Sequence, residues 1–139
     1  MPNQERLLNL FERVRKLALS QNPLEDSGVT MPQLALLDRA ARSPGCGLQE
    51  LADGLGLTAP TVSVGTHRLE EAGLLERQAD PADGRAIRLF LSARGQALQQ
   101  QAHTFRLDKM QRLLAGLTPD EQETLLALLE RAVDAAEAT

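Results

Sequence analysis

The chain has 139 residues, which is enough for one compact domain with a sizeable core, and its formal net charge is −4. Only 2% of the residues are aromatic, so the core must be built mainly from Leu, Ala and Val, which favours helices. No apolar stretch is long enough to cross a membrane, no signal peptide opens the chain, and Cys46 is the single cysteine, which excludes an internal disulfide and a Cys-rich zinc framework. These features predict a cytoplasmic helical protein without a cofactor, a metal or a membrane contact.

Apolar residues at helical spacing predict a first amphipathic helix over residues 4–20. Thr30 then begins a second helix that runs to about residue 41, with Gln33 in the position that completes a capping box. Two short helices are predicted over 48–55 and 59–72. Thr58 is the expected N-cap of the second, and Gly73 ends it.

The periodicity then changes from helical to nearly two. Residues 74–78 and 86–91 predict the two strands of a hairpin, joined by a polar loop rich in turn residues. Ser92 can cap a long helix to about Leu114, and Thr118 begins a final helix with a second capping box. The predicted fold is therefore mainly α with one small β-hairpin.

The segment LQELADGLGLTAPTVSVGTH has the spacing of a helix-turn-helix. Two helices that cross at a sharp turn need a small residue at their contact, a turn residue between them, and apolar inner faces. Ala52 and Gly56 meet the first two needs. The expected inner-face residues are Leu51, Leu55, Leu57 and Val62. An ordinary helical hairpin is the alternative for this segment alone.

The hairpin that follows favours a DNA-binding fold. A helix-turn-helix followed at once by a two-stranded hairpin is the order of a winged helix, whose second helix lies in the major groove and whose loop reaches the minor groove. The run GLLERQADPADGRAIRLFLSARG resembles the wing of the MarR family of bacterial transcriptional regulators. Its Asp-x-x-Asp-x-Arg pattern falls on Asp80, Asp83 and Arg85, and its Ser-x-x-Gly helix start on Ser92 and Gly95.

The resemblance implies one MarR-like domain over residues 1–139. Residues 30–94 would form the winged helix-turn-helix lobe that binds DNA, and residues 1–22 and 95–139 the dimerisation helices. Arg85 would enter the minor groove from the wing, with Asp83 accepting hydrogen bonds from its guanidinium. A solvated turn with an exposed ion pair is the alternative for this pair. The residues expected to face DNA on the second helix are Thr58, Ala59, Thr61, Ser63, Val64, His67 and Arg68.

Val64 and Gly65 depart from what a DNA-reading helix usually carries. Members of the family often have a basic or larger polar residue at the place of Val64, and Gly65 weakens a helix by about 1 kcal/mol relative to alanine. One interpretation is that Gly65 permits close approach to a neighbouring helix or to DNA, while Val64 contacts a thymine methyl. The other is reduced specificity or lost DNA binding.

Charge is distributed unevenly along the chain. Residues 117–139 contain six acidic residues and one arginine, whereas residues 58–94 contain five arginines and five acidic residues. Bulk charge therefore cannot hold DNA, and any contact must rest on individually placed arginines.

Three other side chains are candidates for chemistry. Cys46 could sense oxidants, although sensors of this family generally carry their cysteine in the first helix, and the alternative is an inert residue in a turn. His103 lies in the helix that lines family pockets for small aromatic or phenolic anions, against the alternative of an ordinary surface residue. His67 and Glu70 have metal-ligand spacing but no third ligand. No catalytic set is evident, so we expect no enzyme.

Apolar stripes on the first and last helices exceed what a small lobe needs to cover itself, and they predict association. The resemblance implies a homodimer that binds a pseudo-palindromic operator in double-stranded DNA. We therefore expect a transcriptional repressor that a small-molecule effector releases from DNA. The alternative is a winged-helix protein-interaction module with weak or lost specific DNA binding.

Overall fold

A computed structural model of the chain describes residues 1–20, 22 and 24–139. In these residues six helices and one hairpin follow one another in the predicted order, which confirms the mainly helical fold. None of the described helices is long and apolar enough to pass through a membrane. The elements are α1 (Asn3–Leu19), α2 (Met31–Arg42), α3 (Leu48–Leu55), α4 (Ala59–Glu71), β1 (Leu75–Ala79), β2 (Ile87–Leu91), α5 (Ala93–Leu114) and α6 (Pro119–Glu137).

Local hydrogen bonds fix where α2 and α6 begin. The Thr30 hydroxyl accepts a hydrogen bond from the backbone N–H of Gln33 at 3.3 Å, and the Gln33 side chain accepts one from the backbone N–H of Thr30 at 3.0 Å. Thr118 and Glu121 make the same reciprocal pair at 3.2 and 2.9 Å. Both predicted capping boxes are confirmed, and each satisfies two backbone donors that a helix start leaves without partners.

The chain divides into two compact units, one of which runs from residue 21 to residue 104. Its core is formed by α2, α3, α4 and the hairpin. Each leucine side chain that is fully buried in such a core stabilises the fold by about 1.5–3 kcal/mol. The largest fully buried hydrophobic side chains are Leu37, Leu51, Val62, Leu69, Leu74 and Leu89.

The hairpin pairs β1 with β2 antiparallel, from Leu75 opposite Leu91 to Ala79 opposite Ile87. A third segment, which the sequence did not indicate, joins it at Cys46. The N–H of Leu89 donates to the carbonyl of Cys46 and the N–H of Gly45 donates to the carbonyl of Leu89, both at 2.9 Å. These two hydrogen bonds join the loop between α2 and α3 to Leu89, the middle residue of β2.

The other compact unit consists of residues 1–20 and 105–139. No residue of α1 or α6 is buried, and large apolar side chains such as Phe11 (54% exposed) and Val133 (51% exposed) face solvent. Within this unit the Lys109 ammonium donates to the Ser20 hydroxyl at 2.9 Å. The assignment of residues 1–22 and 95–139 to dimerisation and of 30–94 to DNA binding stays a prediction.

Candidate nucleic-acid interface

The turn between α3 and α4 has the geometry of a helix-turn-helix. Gly56 ends α3 in the left-handed region, at φ 65° and ψ 31°, where glycine carries no steric penalty. Leu51 and Ala52 are fully buried, as predicted. The expectation for Leu57 was wrong: its side chain is 43% exposed, because the turn at Gly56 directs it outside the contact between the two helices.

Helix α4 has a buried face and an exposed face. Val62, Thr66 and Leu69 are buried, and the Thr66 hydroxyl is satisfied by the carbonyl of Ser63 at 3.1 Å. Ala59 is half-buried at the start of the helix. The remaining residues predicted to face DNA are exposed, namely Thr58, Thr61, Ser63, Val64, His67 and Arg68. This arrangement leaves the predicted reading face open to a ligand.

Gly65 lies where α4 packs against α2. A Cβ atom at this position would lie 2.5 Å from Cδ1 of Leu36, a buried side chain of α2. The missing side chain therefore makes room for Leu36, which supports the interpretation that Gly65 permits close approach of the neighbouring helix. Glycine at position 65 lowers helix propensity, and closer packing between α2 and α4 offsets this loss.

Several polar groups on the exposed face of α4 already have partners within the helix. The hydroxyls of Thr58 and Thr61 are 2.8 Å apart, and Thr58 also accepts the N–H of Thr61 at 3.3 Å, which confirms Thr58 as the N-cap. His67 Nε2 lies 3.0 Å from a carboxylate oxygen of Glu71. Glu70, whose spacing from His67 would suit a metal bound by both residues, instead accepts a hydrogen bond from Arg77 at 2.9 Å.

The five arginines of residues 58–94 are not equally available. Arg77 pairs with Glu70, Arg94 donates to the carbonyl of Ala72 at 3.2 Å, and Arg88 lies 3.9 Å from the carboxylate of Asp80. Arg68 on α4 and Arg85 in the hairpin loop are exposed, and neither makes an ion pair with the residues that the structure describes. These two guanidinium groups remain free to bind an anion.

The loop of the hairpin is shaped by its two aspartates. The Asp80 carboxylate accepts the N–H of Ala82 at 2.8 Å, and the Asp83 carboxylate accepts the N–H of Arg85 at 3.1 Å. Asp83 thus contacts the backbone of Arg85 rather than its guanidinium, because its short side chain closes a turn over the next two residues. The idea that Asp83 directs the guanidinium on DNA stays a prediction.

The far end of the hairpin is anchored at Ser92. Its hydroxyl donates to the carbonyl of Gly73 at 2.6 Å and accepts the N–H of Gly95 at 3.0 Å. A Cβ atom on Gly95 would overlap the carbonyl oxygen of Leu74 and lie 3.0 Å from its carbonyl carbon. The Ser-x-x-Gly pattern therefore joins the end of α4, the hairpin and the start of α5 at one point.

Cys46 is buried beside the hairpin. Burial raises the pKa of its thiol, and the nearby negative charge of Glu50 raises this pKa further. A buried thiol with a raised pKa is a poor nucleophile, which favours the inert residue over the oxidant sensor.

His103 is exposed on α5, and its role as an effector ligand stays a prediction. A pocket of about 280 Å³ lies elsewhere in the same unit, between α2, β2 and α5. Phe90 and three glutamines, Gln96, Gln99 and Gln100, contribute to its lining. One of them, Gln99, donates to the carboxylate of Asp38 at 3.1 Å.

Residues 29–87, which contain the helix-turn-helix and most of the hairpin, match the model of the MarR family. The chain is similar to the HTH-type transcriptional repressor Rv2887 of Mycobacterium tuberculosis, with 32% identity over 108 residues that cover 78% of each chain. The uncharacterized HTH-type transcriptional regulator YkoM of Bacillus subtilis is 30% identical over 134 residues, which cover 92% of this chain and 86% of that relative.

Two solved structures are also similar to this chain over nearly its whole length. The transcriptional regulator PcaV from Streptomyces coelicolor is 30% identical, with a TM-score of 0.70 over 94% of this chain and 97% of its own. FabT of Streptococcus pneumoniae, solved in complex with DNA, reaches a TM-score of 0.85 over 97% of this chain and 95% of its own. Because FabT is only 20% identical, it supports the fold alone.

Proposed function

The chain belongs to the MarR family of transcriptional regulators, and on that premise we propose that it is a cytoplasmic homodimeric repressor that binds a pseudo-palindromic operator. The observation that carries this proposal is the pairing pattern of the arginines. Arg77 and Arg94 donate hydrogen bonds to other groups of the protein, and Arg88 lies 3.9 Å from a carboxylate oxygen of Asp80, beyond hydrogen-bonding distance. Arg68 on α4 and Arg85 on the hairpin loop are exposed without an ion pair among the described residues. Their elements are the two that a winged helix applies to the major and minor grooves.

The second part of the proposal is the dimer. The exposed apolar side chains of α1 and α6 would lose contact with water if a second copy covered them, and burial of apolar surface is favourable at about 25 cal/mol per Å². Two-fold symmetry would place two α4 helices roughly 34 Å apart, one turn of DNA. The large apolar side chains of α1 and α6 that are exposed are Leu7, Leu8, Leu10, Phe11, Leu19, Leu126, Leu128, Leu129 and Val133.

Footprinting on the DNA upstream of the gene tests both parts. We expect protection of two half-sites with centres about 10 base pairs apart. Phe11→Asp should turn the dimer into monomers by sedimentation, because it puts a charge on the apolar stripe, and it should abolish the paired footprint. Gln4→Asp adds the same charge to an exposed polar position of the same helix and serves as the control. A Phe11→Asp protein that stays dimeric would contradict the proposed interface.

We also propose that a small aromatic or phenolic effector releases the protein from DNA. PcaV has been solved in complex with its natural ligand, and that chain is 28% identical to this one. An effector acts only if it binds the released arrangement of the two lobes more tightly than the DNA-bound one. His103 is a candidate ligand, and the pocket between α2, β2 and α5 is a second place to look.

A protein-interaction module that keeps the winged-helix fold is the second candidate function. The observation that favours it is the exposed face of α4, where Val64 is apolar and His67 and Thr61 already have partners. Such a module would bind operator and shuffled DNA equally, because only phosphate contacts would remain.

A further inference from the structure

We propose that Val64 is a specificity-determining residue that recognises the 5-methyl group of thymine in each operator half-site. The inference rests on the proposed DNA-binding function and adds to it the chemical group that the centre of α4 selects. It follows from the direction of the Val64 side chain, from its mostly apolar surroundings and from the partners that Thr61 and His67 already have.

The direction of Val64 is set by the helix. Val64 is two residues from Val62 and two from Thr66, both of which are fully buried. Since each residue advances an α-helix by roughly 100°, Val64 points roughly opposite to the buried face. It is 54% exposed, although neither of its methyl groups can make a hydrogen bond to water. Val64 therefore lies on the face of α4 that points away from the buried core.

The surroundings of Val64 on one side are apolar. An open groove of about 430 Å³ runs along α4, and Val64 forms part of its wall together with Pro32, Leu36 and Leu57. Gly65 contributes no side chain to this wall, since Leu36 occupies the space beside it. Four polar side chains, those of Thr30, Gln33, Thr61 and Arg68, also line the groove, whose surface is nevertheless mostly apolar. A methyl group that enters this side of α4 would therefore meet mainly carbon atoms.

Two of the exposed polar side chains near Val64 already have partners, whereas Ser63 and Arg68 remain open to ligands. The Thr61 hydroxyl is 2.8 Å from that of Thr58, and His67 lies 3.0 Å from the Glu71 carboxylate. Thymine is the base whose major-groove edge carries a methyl group, whereas the other groups on base edges are donors and acceptors that valine cannot satisfy. Against any other base pair, Val64 would desolvate a polar edge without returning a hydrogen bond.

Uracil in place of thymine tests the inference, because the two bases differ only in the methyl group. An operator is first selected from random-sequence duplexes, and each thymine is then replaced by uracil in turn. One position in each half-site should lose roughly fourfold in affinity, the effect of one methyl group removed from an apolar contact. Val64→Ala should bind the thymine and uracil duplexes equally. Gln101→Ala, at an exposed position of α5 outside the residues expected to face DNA, should keep the wild-type ratio.

The possible outcomes test the role of Val64 separately from the proposed operator binding. Tight, preferential binding to the selected operator with the same affinity for every uracil duplex would overturn the role of Val64 and leave the repressor intact. A uracil effect that persists unchanged in Val64→Ala would do the same, since another residue would then contact the methyl group. If selection enriches no sequence over shuffled DNA, the proposed operator binding fails and the inference fails with it.

Discussion

Gly95→Ala should lower the free energy of unfolding by about 3 kcal/mol, one of the largest effects expected for a single methyl group in this chain. The new Cβ atom would overlap the carbonyl oxygen of Leu74, which is backbone and cannot rotate away. That carbonyl also accepts the N–H of Ser92 at 3.1 Å, so a shift would break a hydrogen bond at the end of the hairpin. The loss exceeds the gain of about 1 kcal/mol that alanine brings to a helix.

Urea denaturation monitored by circular dichroism measures this change. Gly116→Ala is the matched control, since a Cβ atom there has only the Leu113 carbonyl oxygen nearby, at 3.9 Å. Its stability should stay within about 0.5 kcal/mol of the wild type, as for most surface substitutions. Equal midpoints for Gly95→Ala and Gly116→Ala would show that the close contact with Leu74 is not a constraint in solution.

Arg85→Ala should weaken operator binding by the proposed dimer about 30-fold. An arginine that contacts DNA bases contributes about 1–3 kcal/mol, and the lower value counted for two wings gives about 2 kcal/mol. Arg85 is exposed and makes no ion pair with the described residues, so its removal should leave the melting temperature unchanged. Fluorescence anisotropy with a labelled operator measures the affinity.

Arg131→Ala controls for the loss of one positive charge. Arg131 lies on α6, in the acidic last segment, and its removal should change the affinity less than twofold. The assigned role of the wing is wrong if Arg85→Ala binds the operator as tightly as Arg131→Ala does.

The helices could be predicted from the sequence because their boundaries depend on neighbouring residues. Thr30 and Gln33 are three positions apart, and the hydrogen bonds between them are the ones that their spacing indicates. The hairpin could also be predicted from the sequence, because a loop rich in turn residues separates two short apolar runs. The winged-helix fold could then be predicted, because the helix-turn-helix and the hairpin follow each other directly in the sequence.

Contacts between distant residues could not be predicted in this way. Cys46 was expected in a turn, and nothing near it in the sequence indicates that it pairs with Leu89. The sequence also does not indicate that Gly65 makes room for Leu36, since the two residues lie on different helices. The outward direction of Leu57 depends on the turn at Gly56, and the same apolar residue would suit an inner or an outer position.

Binding to the DNA upstream of its own gene, compared with shuffled DNA of the same composition over a series of salt concentrations, tests the central claim most directly. Both affinities should fall as salt rises, because phosphate contacts release counterions. At physiological salt the upstream DNA should bind at least about 10³-fold more tightly, which is the lower range for sequence-specific regulators. Equal affinities for the two DNAs at every salt concentration would contradict the claim that this protein is an operator-binding repressor.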